Sequence, residues 1–278
     1  MNNSTVNVTT PEANSTTHSI GILNSLEMCA YSIYFLFGFP THSYVIWLII
    51  TGTGSGVASE FFNLNLSVCE IGNSICAVFS LLSYFSSLFN TLTNFVQGLS
   101  ITGRPLFQCL MCVERYLAVV HPVTFLKYKP LRYRAICCTA AWIITLGSCF
   151  FCNFTLASLN IEAYAWLFST AFLLYLFIQL FCLVAVLGAL KQSGPGEIGR
   201  EREEENHMKR RAFNIILITT VSMIIQNVPF TITGFSIILT KQNILDIWFP
   251  AILCYVLSGF LQPFLYLQRT GKLFRLGS

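Results

Sequence analysis

Glu114-Arg115-Tyr116-Leu117-Ala118-Val119-Val120-His121-Pro122 closes a long apolar segment of this chain. An acid, an arginine and a tyrosine at the foot of an apolar helix are costly unless something uses them. Of 278 residues, 54% are hydrophobic, only 10% are charged and 25 are phenylalanine, a composition far from that of a soluble domain. About twenty residues with few or no charges are needed to cross a hydrocarbon layer about 30 Å thick. The chain predicts seven such spans, near 27–50, 58–82, 90–120, 135–157, 164–190, 209–239 and 246–268. Lipid offers the backbone no hydrogen-bond partners, and these runs are too long and too uniformly apolar for barrel strands. The fold class is therefore all-α, a seven-helix membrane bundle.

Basic residues set the expected orientation. Of the 16 Lys and Arg, all but Arg104 and Lys241 lie in or beside the gaps after spans three and five and after span seven. Those gaps are expected to be cytoplasmic, which places the N-terminus outside and the C-terminus inside. The first residues agree independently, being rich in Ser, Thr and Asn with glycan-acceptor patterns at Asn2, Asn3, Asn7 and Asn14. A fifth acceptor is expected at Asn153, at the outer end of span four, whereas Asn65 matches the pattern but should be buried and unmodified. No basic and apolar leader precedes residue 20, so span one is expected to act as the anchor. The resulting division is an extracellular glycosylated tail at 1–26, a membrane domain at 27–268 and a short cytoplasmic tail at 269–278. Within that tail Gly271-Lys272-Leu273-Phe274-Arg275 suits a short surface helix.

No internal repeat or second soluble domain is evident. Gly194-Pro195-Gly196 should break the fifth helix ahead of the mixed-charge run Glu201-Arg202-Glu203-Glu204-Glu205. Lys209-Arg210-Arg211 reads as a topology signal at a helix end, not as nucleic-acid binding. Most of the 11 cysteines fall inside spans and read as small apolar packing residues, with only Cys29, Cys149 and Cys152 near the outer surface. Cys149 and Cys152, three apart on one helix, are poorly placed to join each other. Zinc spacing, paired catalytic acids and phosphate loops are absent, so no metal, cofactor or enzyme activity is indicated.

Seven helices, an outward acceptor-rich tail and Glu114-Arg115-Tyr116 ending span three together resemble a rhodopsin-like (class A) G-protein-coupled receptor. The resemblance covers nearly the whole chain. It implies that Arg115 pairs with Glu114 at rest and meets a heterotrimeric G protein when span six swings out, with Tyr116 beside it. Further matches are Trp142, Leu66, the acid Glu70, Pro229 as a pivot in span six, and Pro263 with Tyr266 in span seven. A bare Glu-Arg-Tyr would read equally well as an interfacial anchor; its place in the third of seven spans gives it weight. The departures are His42, Glu70 and Gln262 at positions where the family carries Asn, Asp and Asn, Asn227 where it carries Trp, and Tyr175 where it carries Pro. Lys209 stands where many relatives carry an acid, and Asn90 is near the usual cysteine of span three, so that outer bridge is missing.

Arg104 precedes Arg115 by eleven residues, about 16 Å at 1.5 Å per residue, which places it near mid-bilayer. An unpaired arginine there costs about 2.5–3.5 kcal/mol on insertion scales. Glu70 is the acid expected near the middle of a span, so Glu70 and Arg104 are expected to form a bidentate pair. The alternative is that Arg104 snorkels into a water pocket while Glu70 is protonated. In the resembled family both matching positions help hold a sodium ion, and the resemblance implies that the guanidinium takes its place. Pro105 follows directly and marks a kink.

The position at which amine receptors carry an aspartate is Gln97, and no basic cluster faces outward, so the expected extracellular ligand is small, neutral or apolar. Gln97, Gln226 and Asn227 are the candidate pocket amides. Tyr84, Phe85, Phe89, Phe95, Tyr164, Trp166, Phe230, Phe235, Trp248 and Tyr255 read mainly as an interfacial belt. The expected function is a multi-pass plasma-membrane receptor that transduces such a ligand to a heterotrimeric G protein. The alternatives are a degenerate, non-signalling receptor-like protein, or a small transporter or channel using Glu70 and Arg104 as a polar pathway.

Overall fold

The computed structural model describes residues 11–51, 60–128, 131–192, 200–240 and 245–269. Asn2, Asn3, Asn7, the side chain of Asn14, Gly194-Pro195-Gly196, Lys241 and the stretch 270–278 lie outside the described residues. Helix α1 runs from 11 to 50 as Pro11–Ile33, a π-helical turn Tyr34–Gly38 and Phe39–Ile50; α2 is Phe61–Ser83. Helix α3 runs from 90 to 120 as Asn90–Gly98, a second π turn Leu99–Gly103 and Arg104–Val120. A short helix, Pro122–Tyr128, leads to α4 at Leu131–Ala157, α5 at Ile161–Gln192, α6 at Arg200–Thr240 and α7 at Leu245–Arg269. Among the described residues there is no strand. Helix α1 starts well before residue 27, so part of the stretch read as a tail is helical.

Among the described residues, length and apolarity qualify six stretches to cross a membrane: Ile22–Ile50, Phe61–Ser83, Leu131–Ala157, Ile161–Lys191, Ala212–Thr240 and Phe249–Leu267. Helix α3, divided by its π turn, is the remaining long helix. It packs against α2, α4, α5 and α6, so its side chains reach most of the bundle. Large apolar residues such as Phe150, Phe154, Phe177 and Val184 are exposed, as lipid-facing residues are in a bundle whose polar groups turn inward.

Both π turns have the same local cause. Proline has no N–H, and its ring collides with the carbonyl four residues back, so a regular helix cannot run through it unchanged. Gly38-Phe39-Pro40 and Gly103-Arg104-Pro105 each follow or close a π turn, which widens the helix by one residue and moves that carbonyl aside. The turns also set where Tyr34 and Arg104 point, since one begins at Tyr34 and the other ends just before Arg104.

Close packing relies on small residues where hydrocarbon gives no hydrophobic drive. Gly98 is the tightest case: a Cβ there would strike the backbone of Ser148 and Cys149 on α4. Leu66, Cys69, Leu99, Phe107, Cys138 and Ala141 form the core joining α2, α3 and α4, and Cys112, Cys182, Val186 and Ile216 do the same for α3, α5 and α6. All eleven cysteines are free thiols, most of them buried in such clusters.

Gly98→Leu is expected to destabilise the bundle by about 1–3 kcal/mol or more, because backbone rather than a flexible side chain would have to move. Thermal unfolding in nanodiscs checks this, and an unchanged midpoint would contradict the packing described.

Candidate functional site

Arg104 and Glu70 meet at the centre of the bundle, 1% and 2% exposed. The Arg104 Nε–H donates to Glu70 Oε1, and Nη2 donates to Oε2 at 2.6 Å, so the guanidinium meets the carboxylate side-on with two parallel bonds. The pi turn of α1 brings in Tyr34, whose hydroxyl donates to Glu70 Oε2 at 2.7 Å and accepts from Arg104 Nη2 at 2.5 Å. On the other side Nη1 donates to the Tyr255 carbonyl and to Ser258 Oγ, both at 3.2 Å. The Tyr255 ring covers the guanidinium, with its centroid 4.0 Å from Cζ. Every edge of the buried cation is thus occupied by α1, α2 or α7.

Helix α7 reaches this point because residue 259 is glycine; a Cβ there would lie 2.6 Å from Tyr34 Cε2 and 3.2 Å from Arg104 Nη2. Pro263 contributes from one turn away. It has no N–H to bond the Gly259 carbonyl, and that oxygen accepts instead from His42 Nε2 at 3.3 Å, tying α1 to α7. Ser258 Oγ lies 2.8 Å from the Tyr255 carbonyl and 3.3 Å from Gln226 Oε1 on α6, and its single proton can serve either.

A cavity of about 120 Å³ opens directly against this cluster, with Tyr34 and Tyr255 in its wall. Water needs roughly 10–15 Å³ of such volume, so the space suits a small organic molecule or several waters. Gln97, Gln226 and Asn227 all line it, together with Tyr31, Asn73, Ser100, Tyr164, Phe168 and Phe230. Tyr164, Phe230 and Tyr255, read as belt residues, thus face the cavity, while Phe85 is 78% exposed. A polar chain runs along the wall: Tyr255 Oη donates to Ser100 Oγ at 2.9 Å, and Ser100 donates to Asn73 Oδ1 at 3.0 Å.

At the other end of α3 the arrangement differs from expectation. Glu114 pairs with Arg134 Nη2 of α4, and among the described residues Arg115 makes no ion pair. Arg134 lies in the first turn of α4 and is buried, and its guanidinium captures the acid that was expected to restrain Arg115. Tyr116 stacks edge-on against Phe181 and lies 3.0 Å from His121 Nε2 through its hydroxyl. Gln262 donates to Asn63 Oδ1 at 2.5 Å, linking α7 to α2, and Tyr266 is buried against Val45, Leu48 and Ile49 of α1. Pro229 lies inside α6, just beyond the cavity residues Gln226 and Asn227.

Asn153 does not stand in an exposed loop, as a glycan acceptor should. It lies inside α4 with its side-chain oxygen buried, and Thr155 of the same triplet is 3% exposed and donates to helix carbonyls. Tyr34, Asn73 and Ser100 escaped notice in the sequence. Asn73, one helical turn from Glu70, and the paired Gly-x-Pro motifs were the available signals.

Removing one member of a buried ion pair strands the other charge, at a cost of about 3–5 kcal/mol, whereas replacing both can be nearly neutral. Glu70→Met and Arg104→Met are each expected to lower thermal stability strongly, and the double variant less than either. Additive losses would contradict the pair.

The family model for the 7 transmembrane receptor (rhodopsin family) matches residues 42–266. The chain is 26% identical over 235 residues to hydroxycarboxylic acid receptor 2 of Rattus norvegicus, covering 76% of this chain and 63% of that one. It is 24% identical over 257 residues to C-C chemokine receptor type 8 of Homo sapiens, covering 78% and 64%. Against the uracil nucleotide/cysteinyl leukotriene receptor of Rattus norvegicus it is 27% identical over 128 residues, covering 44% and 38%. The chain therefore spans less than two thirds of the length of these relatives. With the family match running from α1 to α7, the chain belongs to the rhodopsin family of seven-transmembrane receptors, a multi-pass membrane receptor rather than an enzyme.

Proposed function

We propose that this receptor passes an extracellular signal across the plasma membrane to a heterotrimeric G protein, with the Arg115 end of the bundle cytoplasmic and the cavity opening toward the outside. The observation that carries this reading is the shared wall: Tyr34 and Tyr255 line the cavity and also hold Arg104. A ligand that shifts Tyr255 must disturb the contacts that fasten α7, and through Ser258 and Gln226 also α6, to α3. Pro229 offers α6 a point at which to bend. The distribution of Lys and Arg supports the orientation.

The cavity favours a small neutral ligand, with Gln97, Gln226 and Asn227 as its amides. The relatives' names point elsewhere, to nucleotides, leukotrienes, hydroxycarboxylic acids and chemokines. Among the described residues no basic side chain lines this cavity, so an anionic ligand would find no counter-ion among them. Arg115, with Glu114, Tyr116, Pro263 and Tyr266 around the same end, is the proposed coupling group.

A second reading, a receptor-like protein that does not signal, draws on the number of ties holding α6 and α7 to Arg104. A transporter or channel gains no support, because Glu70 and Arg104 are sealed by their mutual bonds and their neighbours.

G-protein activation in cells separates the readings. Ligand-independent turnover is expected, since Glu114 is engaged by Arg134, and Arg115→Ala should abolish it. Arg134→Ala releases Glu114 toward Arg115 and should lower turnover without removing the protein from the surface. Turnover unaffected by Arg115→Ala would overturn the coupling role.

A further inference from the structure

The cavity carries more chemical information than its neutrality. Its aromatic wall is made by Tyr31, Tyr34, Tyr164, Phe168, Phe230 and Tyr255. Two polar atoms facing this region are buried without a partner: Asn73 Nδ2, on a residue only 2% exposed, and Thr93 Oγ1. An unpartnered buried donor is expensive, and such groups are ordinarily satisfied by a neighbour, a water or a ligand.

The direction of the hydrogen-bond chain fixes what Asn73 has to offer. Ser100 has one proton and accepts from the Tyr255 hydroxyl, so its own proton goes to Asn73 Oδ1. The amide oxygen is therefore used and the NH2 is left to donate. A carbonyl oxygen is the group that matches it.

Charge on the ligand is disfavoured from both signs. Glu70 and Arg104 neutralise each other behind Tyr34 and Tyr255 and do not line the cavity. Glu27, on the same helix as the lining residue Tyr31, accepts from Tyr84 Oη at 2.7 Å and also lies outside the lining. Among the described lining residues an anion would find no cation, and an ammonium group would find no carboxylate.

We propose that the cavity binds an uncharged aromatic molecule bearing a carbonyl group, with the ring against the Tyr and Phe wall and the carbonyl oxygen accepting from Asn73 Nδ2, Thr93 lying beside it. This deepens the receptor reading above and rests on it for its biological meaning. Its physical content is a binding preference that the purified protein shows by itself.

The test titrates benzamide, toluene, benzoate and benzylamine against the full chain in nanodiscs by ligand-observed NMR. Benzamide is expected to bind saturably and at least about tenfold more tightly than the other three, a ratio corresponding to one well-made hydrogen bond. Asn73→Leu should weaken benzamide about tenfold and leave toluene unchanged. Should that variant fail to fold, Thr93→Val, which keeps the shape and loses the hydroxyl, is expected to weaken benzamide alone. Equal or tighter binding of benzoate would overturn the proposal, as would benzylamine binding that vanishes in Glu27→Gln, or no saturable binding by any probe. G-protein turnover is read separately: benzamide binding without turnover sinks the signalling reading and leaves this one standing, and turnover with no benzamide preference does the reverse.

Discussion

An arginine placed at the middle of a membrane helix needs a counter-ion at the same depth, and Glu70 of α2 supplies it to Arg104 of α3. The pair also needs its remaining donors occupied, since a guanidinium carries five N–H groups and a carboxylate takes two of them here. Tyr34, Tyr255 and Ser258 take up the rest of the cluster's capacity. Meeting that demand dictates much of the surrounding structure. The π turn of α1 has to present Tyr34, the π turn of α3 has to aim Arg104, and α7 has to come close enough that only glycine fits at 259.

The same constraint ties the cavity wall to the buried ion pair. Helices α1, α2 and α7 converge on the cation carried by α3, α6 joins through Gln226 and Ser258, and two of the side chains that hold the cation stand in the cavity wall. Packed polar clusters of this kind have few alternative arrangements, so under the proposed function a change at the cavity is expected to pass on as a discrete shift. At the other end, Arg134 holds Glu114 and leaves Arg115 outside any ion pair among the described residues. The buried ties between helices are accordingly gathered at Arg104, away from the Arg115 end of α3.

Much of this was legible in the amino-acid sequence, and for identifiable reasons. The helices follow from uninterrupted apolar runs, and the Glu70–Arg104 pair follows from a lone mid-span acid and a lone mid-span arginine. Gln97, Gln226 and Asn227 could be picked out as pocket amides because lipid-facing amides are costly. Other parts were not legible because they depend on which helices touch. Arg134 looked like one more basic residue at a helix end until α4 brought it to Glu114. Asn153 matched an acceptor triplet, but the helix continues through it. Tyr255 and Tyr164 looked like interfacial aromatics because sequence does not show which face of a helix turns inward. The π turns were hidden for a different reason: a proline announces a disturbance without saying whether it becomes a kink, a break or a widened turn.

The most direct measurement is NMR of the full chain in nanodiscs with ¹⁵N-labelled arginine, following the Nε–H of Arg104. A guanidinium locked side-on against Glu70 should give a single Nε–H resonance that is protected from solvent exchange, and Glu70→Gln should shift it or abolish its protection. An Arg104 signal that exchanges rapidly with water, or one indifferent to Glu70, would contradict the claim that this ion pair organises the bundle.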